Sequence, residues 1–445
     1  MKRILTIALA LASVAAMAQN KGAITPEMLS EIRGAYQGSA SDKAVRNALN
    51  TTALNTLALN AENSATPDTH FSDRVPTKGI TNQKQSGRCW LFTGLNVLRA
   101  AAISKYDLGE FQFSQSYCFF WDQLEKCNLF LQAVIDTRDK DFDDREVDWL
   151  FAHPLSDGGT FTGVANLVTK YGLVPADVMP ESFIANSTSQ FCGQLKTLLR
   201  QDGLRLRSLK KGHEQEKTAM LKEIYRLLCL AYGNPPTEFE WKGRTVTPVQ
   251  FYQELLGYDL EHNYVMLMND PSREYGKVYE IQYDRHTYEG QNWLYVNLPV
   301  DRIKEMAIAS IRGGDAMYFS CDVGKFLLRD KGVCDIANFD YESLLGVEFT
   351  MDKKERILTH ASVSSHAMTL VGVDIKDGKT QKWLVENSWG KTGWDGNVIM
   401  TDEWFNEYMF RLVVDRKYVP ADVLKMLECK PVMLPAWDPM FSEED

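Results

Sequence analysis

Apolar residues recur three and four apart at Leu91, Leu95, Leu98 and Ala102, the spacing that lines one face of an α-helix, so a helix is predicted from Cys89 to about Lys105. The aromatic-rich run from Ser114 to about Phe130 reads as a second helix. Two more are predicted upstream, at Glu27–Ala35 and from Ser41, as N-cap, to about Leu59. Asp157-Gly158-Gly159-Thr160 opens another through Tyr171. Leu195–Leu209 and Glu214–Tyr232 are basic helical patterns, closed by the turn-rich Gly233-Asn234-Pro235-Pro236. From about Asn263 the texture changes to short strand-like runs: Tyr264–Met268, Trp293–Val296 and Ala316–Phe319, with one helix, Asp301–Arg312, between the last two. Ala367–Val373 and Trp383–Glu386 flank the turn Lys376-Asp377-Gly378-Lys379 and together predict a hairpin.

Composition narrows the class. The 445 residues allow two or three domains, or one with large insertions, and a formal net charge of −10 disfavours nucleic acid as a partner. After the N-terminus no run approaches the ~20 apolar residues of a membrane span. The N-terminus itself reads as an export signal: Met1-Lys2-Arg3 is basic, Ile4 to Met17 almost wholly apolar, and Ala16-Met17-Ala18 offers a small-x-small cleavage site. No cysteine follows that run, so a lipoprotein anchor is not indicated. None of the eight cysteines forms a C-x-x-C pair, and Cys118, Cys229 and Cys321 read as buried thiols. Asp139, Asp141 and Asp143 invite a calcium reading. That loop has Asp144 at its sixth position and Leu150 at its twelfth, where an EF-hand needs glycine and glutamate, so a solvated, mobile loop is expected instead. No metal and no cofactor is expected.

The chemistry centres on Cys89. The polar loop Gln83-Lys84-Gln85-Ser86-Gly87-Arg88 runs straight into the first helix, placing this thiol at a helix N-terminus, where positive partial charge favours the thiolate. Gln83 can turn its side-chain NH2 toward an oxyanion beside the sulfur. Thiol-based acyl transfer also needs an imidazole and a group that fixes its tautomer. His366 stands at the mouth of one hairpin strand and Asn387 at the end of its partner, so the hairpin brings the two side by side, with Trp389 able to shield them from water.

With these residues in place the chain resembles the papain-like cysteine peptidases, and among them the bleomycin hydrolase (aminopeptidase C) family. The similar stretches are Asn82–Trp90, Phe113-Ser114-Gln115-Ser116-Tyr117 with Phe119-Phe120-Trp121-Asp122, Asp157-Gly158-Gly159, Cys321–Lys325, His366-Ala367-Met368-Thr369 and Trp437-Asp438-Pro439-Met440. The resemblance implies an α+β, papain-like two-lobe fold, with a helical lobe carrying the cysteine, a β-rich lobe carrying histidine and asparagine, and a large helical insertion. It assigns residues 1–18 to the signal peptide, 19–190 to the N-terminal segment and helical lobe, 191–262 to the insertion, 263–436 to the β-rich lobe and 437–445 to a C-terminal arm. It also implies Cys89 as nucleophile, His366 as acid/base, Asn387 as orienter and Gln83 as oxyanion donor. Gly158 and Gly159 would pair with the substrate backbone, the C-terminal arm ending at Asp445 would receive the substrate's amine, and the chain would form a homohexamer.

Three departures from the family stand out. Cys89 and His366 lie 277 residues apart, against about 130–150 in simple papain-like chains. The family is typically cytoplasmic, whereas this chain carries an export signal and is expected in the periplasm or outside the cell. The arm ends Phe441-Ser442-Glu443-Glu444-Asp445, more acidic than the family's small apolar ending. The reading is therefore an exported cysteine aminopeptidase acting on peptides. A papain-like endopeptidase or oligopeptidase and an inactive peptide-binding scaffold stand as alternatives.

Overall fold

The computed structural model describes residues 22–63 and 68–441; the proposed signal peptide and Asp445 lie outside them. These residues divide into two compact units. One holds the chain up to Leu59 with Phe339–Glu348, the other Asn60–Asn338 with the chain from Phe349 onward.

In the first unit Thr25 caps a helix at Pro26–Ala35, and Ser39, not Ser41, caps the next through a box with Asp42. That second helix stops at Leu49 instead of running to Leu59. Asn50 Nδ2 donates to the Arg46 carbonyl at 2.8 Å and Thr51 Oγ1 to that of Ala48 at 3.2 Å, side-chain bonds that double the backbone ones at the helix's C-terminal turn.

The second unit carries the chemistry. Its principal helices are α1 (Cys89–Tyr106), α2 (Gln115–Asp136), α3 (Phe161–Tyr171), α4 (Ser189–Ser208), α5 (His213–Tyr232) and α6 (Val300–Arg312). Ser114 caps α2 through the Tyr117 N–H, and Asp107 ends α1 in the left-handed conformation. The run after α2 is not merely a solvated loop: Asp144 caps the helix Arg145–Ala152, and Lys140 pairs with Glu146 at 2.5 Å. The helical insertion also holds a hairpin, Phe239–Trp241 against Arg244–Val246, too short to leave a legible period.

The main strands are β1 (Tyr264–Met268), β2 (Lys277–Ile281), β3 (Leu294–Asn297), β4 (Met317–Cys321), β5 (His366–Lys376), β6 (Lys379–Glu386), β7 (Asn397–Thr401), β8 (Met409–Asp415) and β9 (Val432–Leu434). They lie in the order β9-β2-β3-β1-β8-β4-β5-β6-β7 within a twelve-stranded mixed sheet. The β5–β6 hairpin turns at Asp377 and Gly378, with φ of +52° and +76°, the double positive φ that an Asp-Gly pair supplies. Its register sets Thr369 opposite Glu386, while β4 sets Cys321 opposite His366. One buried cluster gathers α1 to α5 with strand residues such as Tyr318 and Val413, and a second gathers α6 with their strand neighbours Phe319 and Leu412, so the α+β architecture has two cores. Cys118 and Cys321 are buried, but Cys229 is only half-buried. Among the described residues no helix is long and apolar enough to cross a membrane.

Candidate active site

Cys89 is the first residue of α1 and is fully buried. No side chain caps this helix, so the first-turn N–H groups and the helix dipole act at the sulfur. The preceding loop is held by its own polar atoms. Gln83 Nε2 donates to the Ser86 carbonyl at 2.8 Å, Ser86 Oγ to that of Gln83 at 2.6 Å, and Arg88 forms a two-pronged ion pair with Glu181 at 2.7 and 3.1 Å. Gly87 N–H donates to Asp157 at 3.1 Å, and a Cβ at Gly87 would sit 2.8 Å from that carboxylate.

Two elements bring the remaining candidates to the thiol. The Ala367 N–H, next to His366 on β5, donates to Cys89 Sγ at 3.4 Å. His366 Nε2 lies 2.8 Å from Asn387 Oδ1, and the same oxygen accepts the Ser388 N–H at 2.7 Å. A backbone N–H can only donate, so the Asn387 amide presents its oxygen; His366 must then carry its proton on Nε2, leaving Nδ1 as the basic nitrogen. Trp389 covers the imidazole, with ring centroids 4.8 Å apart. Gln83 joins from the other side: its Oε1 accepts from Ser388 Oγ at 2.5 Å and its N–H donates to the Ser388 carbonyl at 2.8 Å. Cys89, His366, Asn387 and Gln83 thus converge on one place.

Gly158 and Gly159 lie beside it, in a loop before α3, not within the helix. Trp90 Nε1 donates to the Asp157 carbonyl at 2.9 Å, and Lys126 Nζ donates to the carbonyls of Gly158 and, at 3.1 Å, Ser156. Glycine is required at 159 for an internal reason: a Cβ there would come within 2.4 Å of the His286 ring and 2.8 Å of the Trp90 ring. The close approach is to the protein's own side chains.

Behind this loop sits a cluster that sequence reading missed. Asp122 accepts from His286 Nδ1 at 2.5 Å and pairs with Lys126 at 3.4 Å, all three buried. Burial alone would push the Asp122 carboxyl up, but Lys126 and His286 hold it below the ordinary range. The available signal was Asp122 and Lys126 one turn apart inside an apolar helix.

The C-terminal arm reaches the same neighbourhood. β9 pairs in parallel with β2, Arg273 joins Asp438 to Asp270, and Arg411 donates to the Met440 carbonyl at 2.7 Å. Phe441 packs edge-on to Trp149 with centroids 5.2 Å apart. A cavity of about 600 Å3 lies between this arm, the Leu155–Ser156 segment, Lys126, Arg285 and His360.

A family model described as the Peptidase C1-like family matches residues 23–441. Bleomycin hydrolase of Homo sapiens is 42% identical over 399 residues, covering 83% of this chain and 88% of the relative. Aminopeptidase W of Lactobacillus delbrueckii subsp. lactis is 36% identical, covering 93% and 98%. Among solved structures, PepW from Lactobacillus rhamnosis HN001 superposes with a TM-score of 0.89 at 34% identity, covering 95% of this chain and 99% of that one.

Proposed function

The chain belongs to the Peptidase C1-like family and is a cysteine peptidase, and from that premise we propose that it is an exported aminopeptidase removing N-terminal residues from peptides. The observation that carries the reading is the arm: Trp437, Asp438, Pro439 and Phe441 line a cavity together with Ser156 and Lys126, and Lys126 also holds the Gly158 carbonyl of the loop beside the thiol. Beyond Phe441 the sequence continues Ser442-Glu443-Glu444-Asp445, whose carboxylates suit a substrate's α-ammonium group. The names of the relatives, several of them aminopeptidases, support the same reading.

The proposed mechanism uses the residues as placed. His366 Nδ1 takes the Cys89 proton, and the thiolate attacks the first peptide carbonyl. The oxyanion is met by the Cys89 N–H and the Gln83 amide. His366 returns its proton to the departing amine, then activates the water that hydrolyses the thioester. Cys89→Ala is expected to abolish turnover of free-amine aminoacyl substrates; residual wild-type turnover would overturn this assignment. Truncation after Phe441 is expected to raise the rate on N-acylated peptides relative to free-amine ones. An unchanged ratio would point to endopeptidase action instead. Export through Met1–Ala18 predicts a mature chain beginning at Gln19, which N-terminal sequencing of the exported protein checks.

A further inference from the structure

Beside the bridge between Asn82 and Trp389 lies a second cavity, of about 510 Å3, whose walls share no residue with the one at the arm. Trp389 is its aromatic wall, bridged to Asn82 one residue before Gln83. Lys84 and Gln85 form one rim, Phe183 another, and Arg329 lies over the Trp389 ring with its guanidinium 4.3 Å from the centroid. Lys84 adopts a φ of +56°, and its N–H donates to Asn82 Oδ1 at 2.9 Å, so the backbone that presents this amine is fixed locally. Phe183, on that rim, is 84% exposed and free to pack against a bound chain.

The charge of this surface runs against that of the molecule. The chain is net −10, yet the cavity is lined by two cations and no carboxylate. Among the described residues neither Lys84 nor Arg329 is paired with an acid. An aminopeptidase holds the first residue of its substrate on the amine-binding side, which here is the side of the arm. Everything after the scissile bond then leaves across the Trp389 side.

We propose that Lys84 and Arg329 select leaving fragments that carry a carboxylate close to the scissile bond, with Trp389 and Phe183 packing against their apolar parts. The inference rests on the aminopeptidase reading. The carboxylate has two sources: an acidic side chain at the first or second leaving residue, or the free chain end of a di- or tripeptide.

The test compares kcat/KM on the full-length enzyme for an alanyl arylamide, for Ala-Ala as free acid and as amide, and for Ala-X-Ala amides with X as Asp, Ala or Lys. Rates are normalised to the thiol titrated by an epoxide inhibitor. Asp is expected to exceed Lys by about fivefold for each cation engaged, the upper end for exposed ion pairs. Arg329→Glu, with Lys84 still in place, is expected to abolish that preference, and Lys84→Glu combined with Arg329→Glu to reverse it. In the wild-type enzyme the preference should shrink between about 0.05 and 0.5 M salt, a readout that does not depend on how the variant folds. A faster free acid among the dipeptides assigns the chain end; a faster Asp among the amides assigns the side chain. Equal rates across the charged series together with equal rates for the free acid and the amide would overturn the inference while leaving the aminopeptidase reading intact. Absence of arylamide hydrolysis by the wild-type enzyme would overturn that reading instead.

Discussion

Asn387 presents one oxygen to two donors, and the second of them decides what the first can be. Because Ser388 N–H fixes the amide, His366 is confined to the tautomer whose Nδ1 is basic. Asn387→Ala is therefore expected to lower kcat by roughly 10²-fold, the cost of a misplaced reacting group, with KM little changed. Steady-state kinetics normalised to titrated thiol checks it. This much was legible in the sequence: a cysteine at a loop-to-helix junction, and a histidine and an asparagine on two strands joined by an Asp-Gly turn. Ser388 as the clamp on Gln83 was not, because its partner lies 305 positions away and no local pattern announces such a bond.

At the scale of elements the two cores are joined by a buried ion pair. Arg99 on α1 donates to Glu386 at 2.5 Å, and Glu386 is the last residue of β6, immediately before Asn387. Both side chains are all but inaccessible, and among the described residues Arg99 Nη1 and Glu386 Oε2 have no hydrogen-bond partner of their own. Burial lowers the Arg99 pKa while Glu386 pulls the other way. Such a pair stabilises little over an apolar one, but breaking it strands a charge. Arg99→Met is expected to cost about 3–5 kcal/mol, and adding Glu386→Met to recover most of that, as read by urea unfolding. Helical periods were readable to within a few residues for α1, α3, α5 and α6, as were the β5–β6 hairpin and β1. β7, β8 and β9 were not, since Met409–Asp415 is almost wholly apolar and does not alternate, as befits a strand covered on both faces.

For the molecule as a whole, stability against pH depends on groups far from the thiol. Asp202 on α4 is buried and faces the acidic Glu223 and Glu216 of α5, with Arg205 as the opposing charge; burial first, then Glu223, push its carboxyl up to about 6 from an ordinary 3.8. Between those values the folded chain holds a proton that the unfolded chain has released, so this group's contribution to stability falls as pH rises through the window and is most unfavourable above it. Asp202→Asn is expected to raise the Tm at pH 7 and to leave it unchanged near pH 4, a pair of thermal melts that tests the sign.

The order of strands also sets an order in time. β8 sits between β1 and β4, pairing with chain made about a hundred residues and more earlier, so the middle of the sheet closes only when Asp415 has been synthesised. Cys89 is translated 277 residues before His366, an interval of roughly 15–55 s at ribosomal rates of about 5–20 residues per second. Throughout that interval the growing polypeptide owns the thiol without the imidazole that β5 brings to it. Hydrolysis by Cys89 therefore waits until His366 and, 21 residues later, Asn387 have been made.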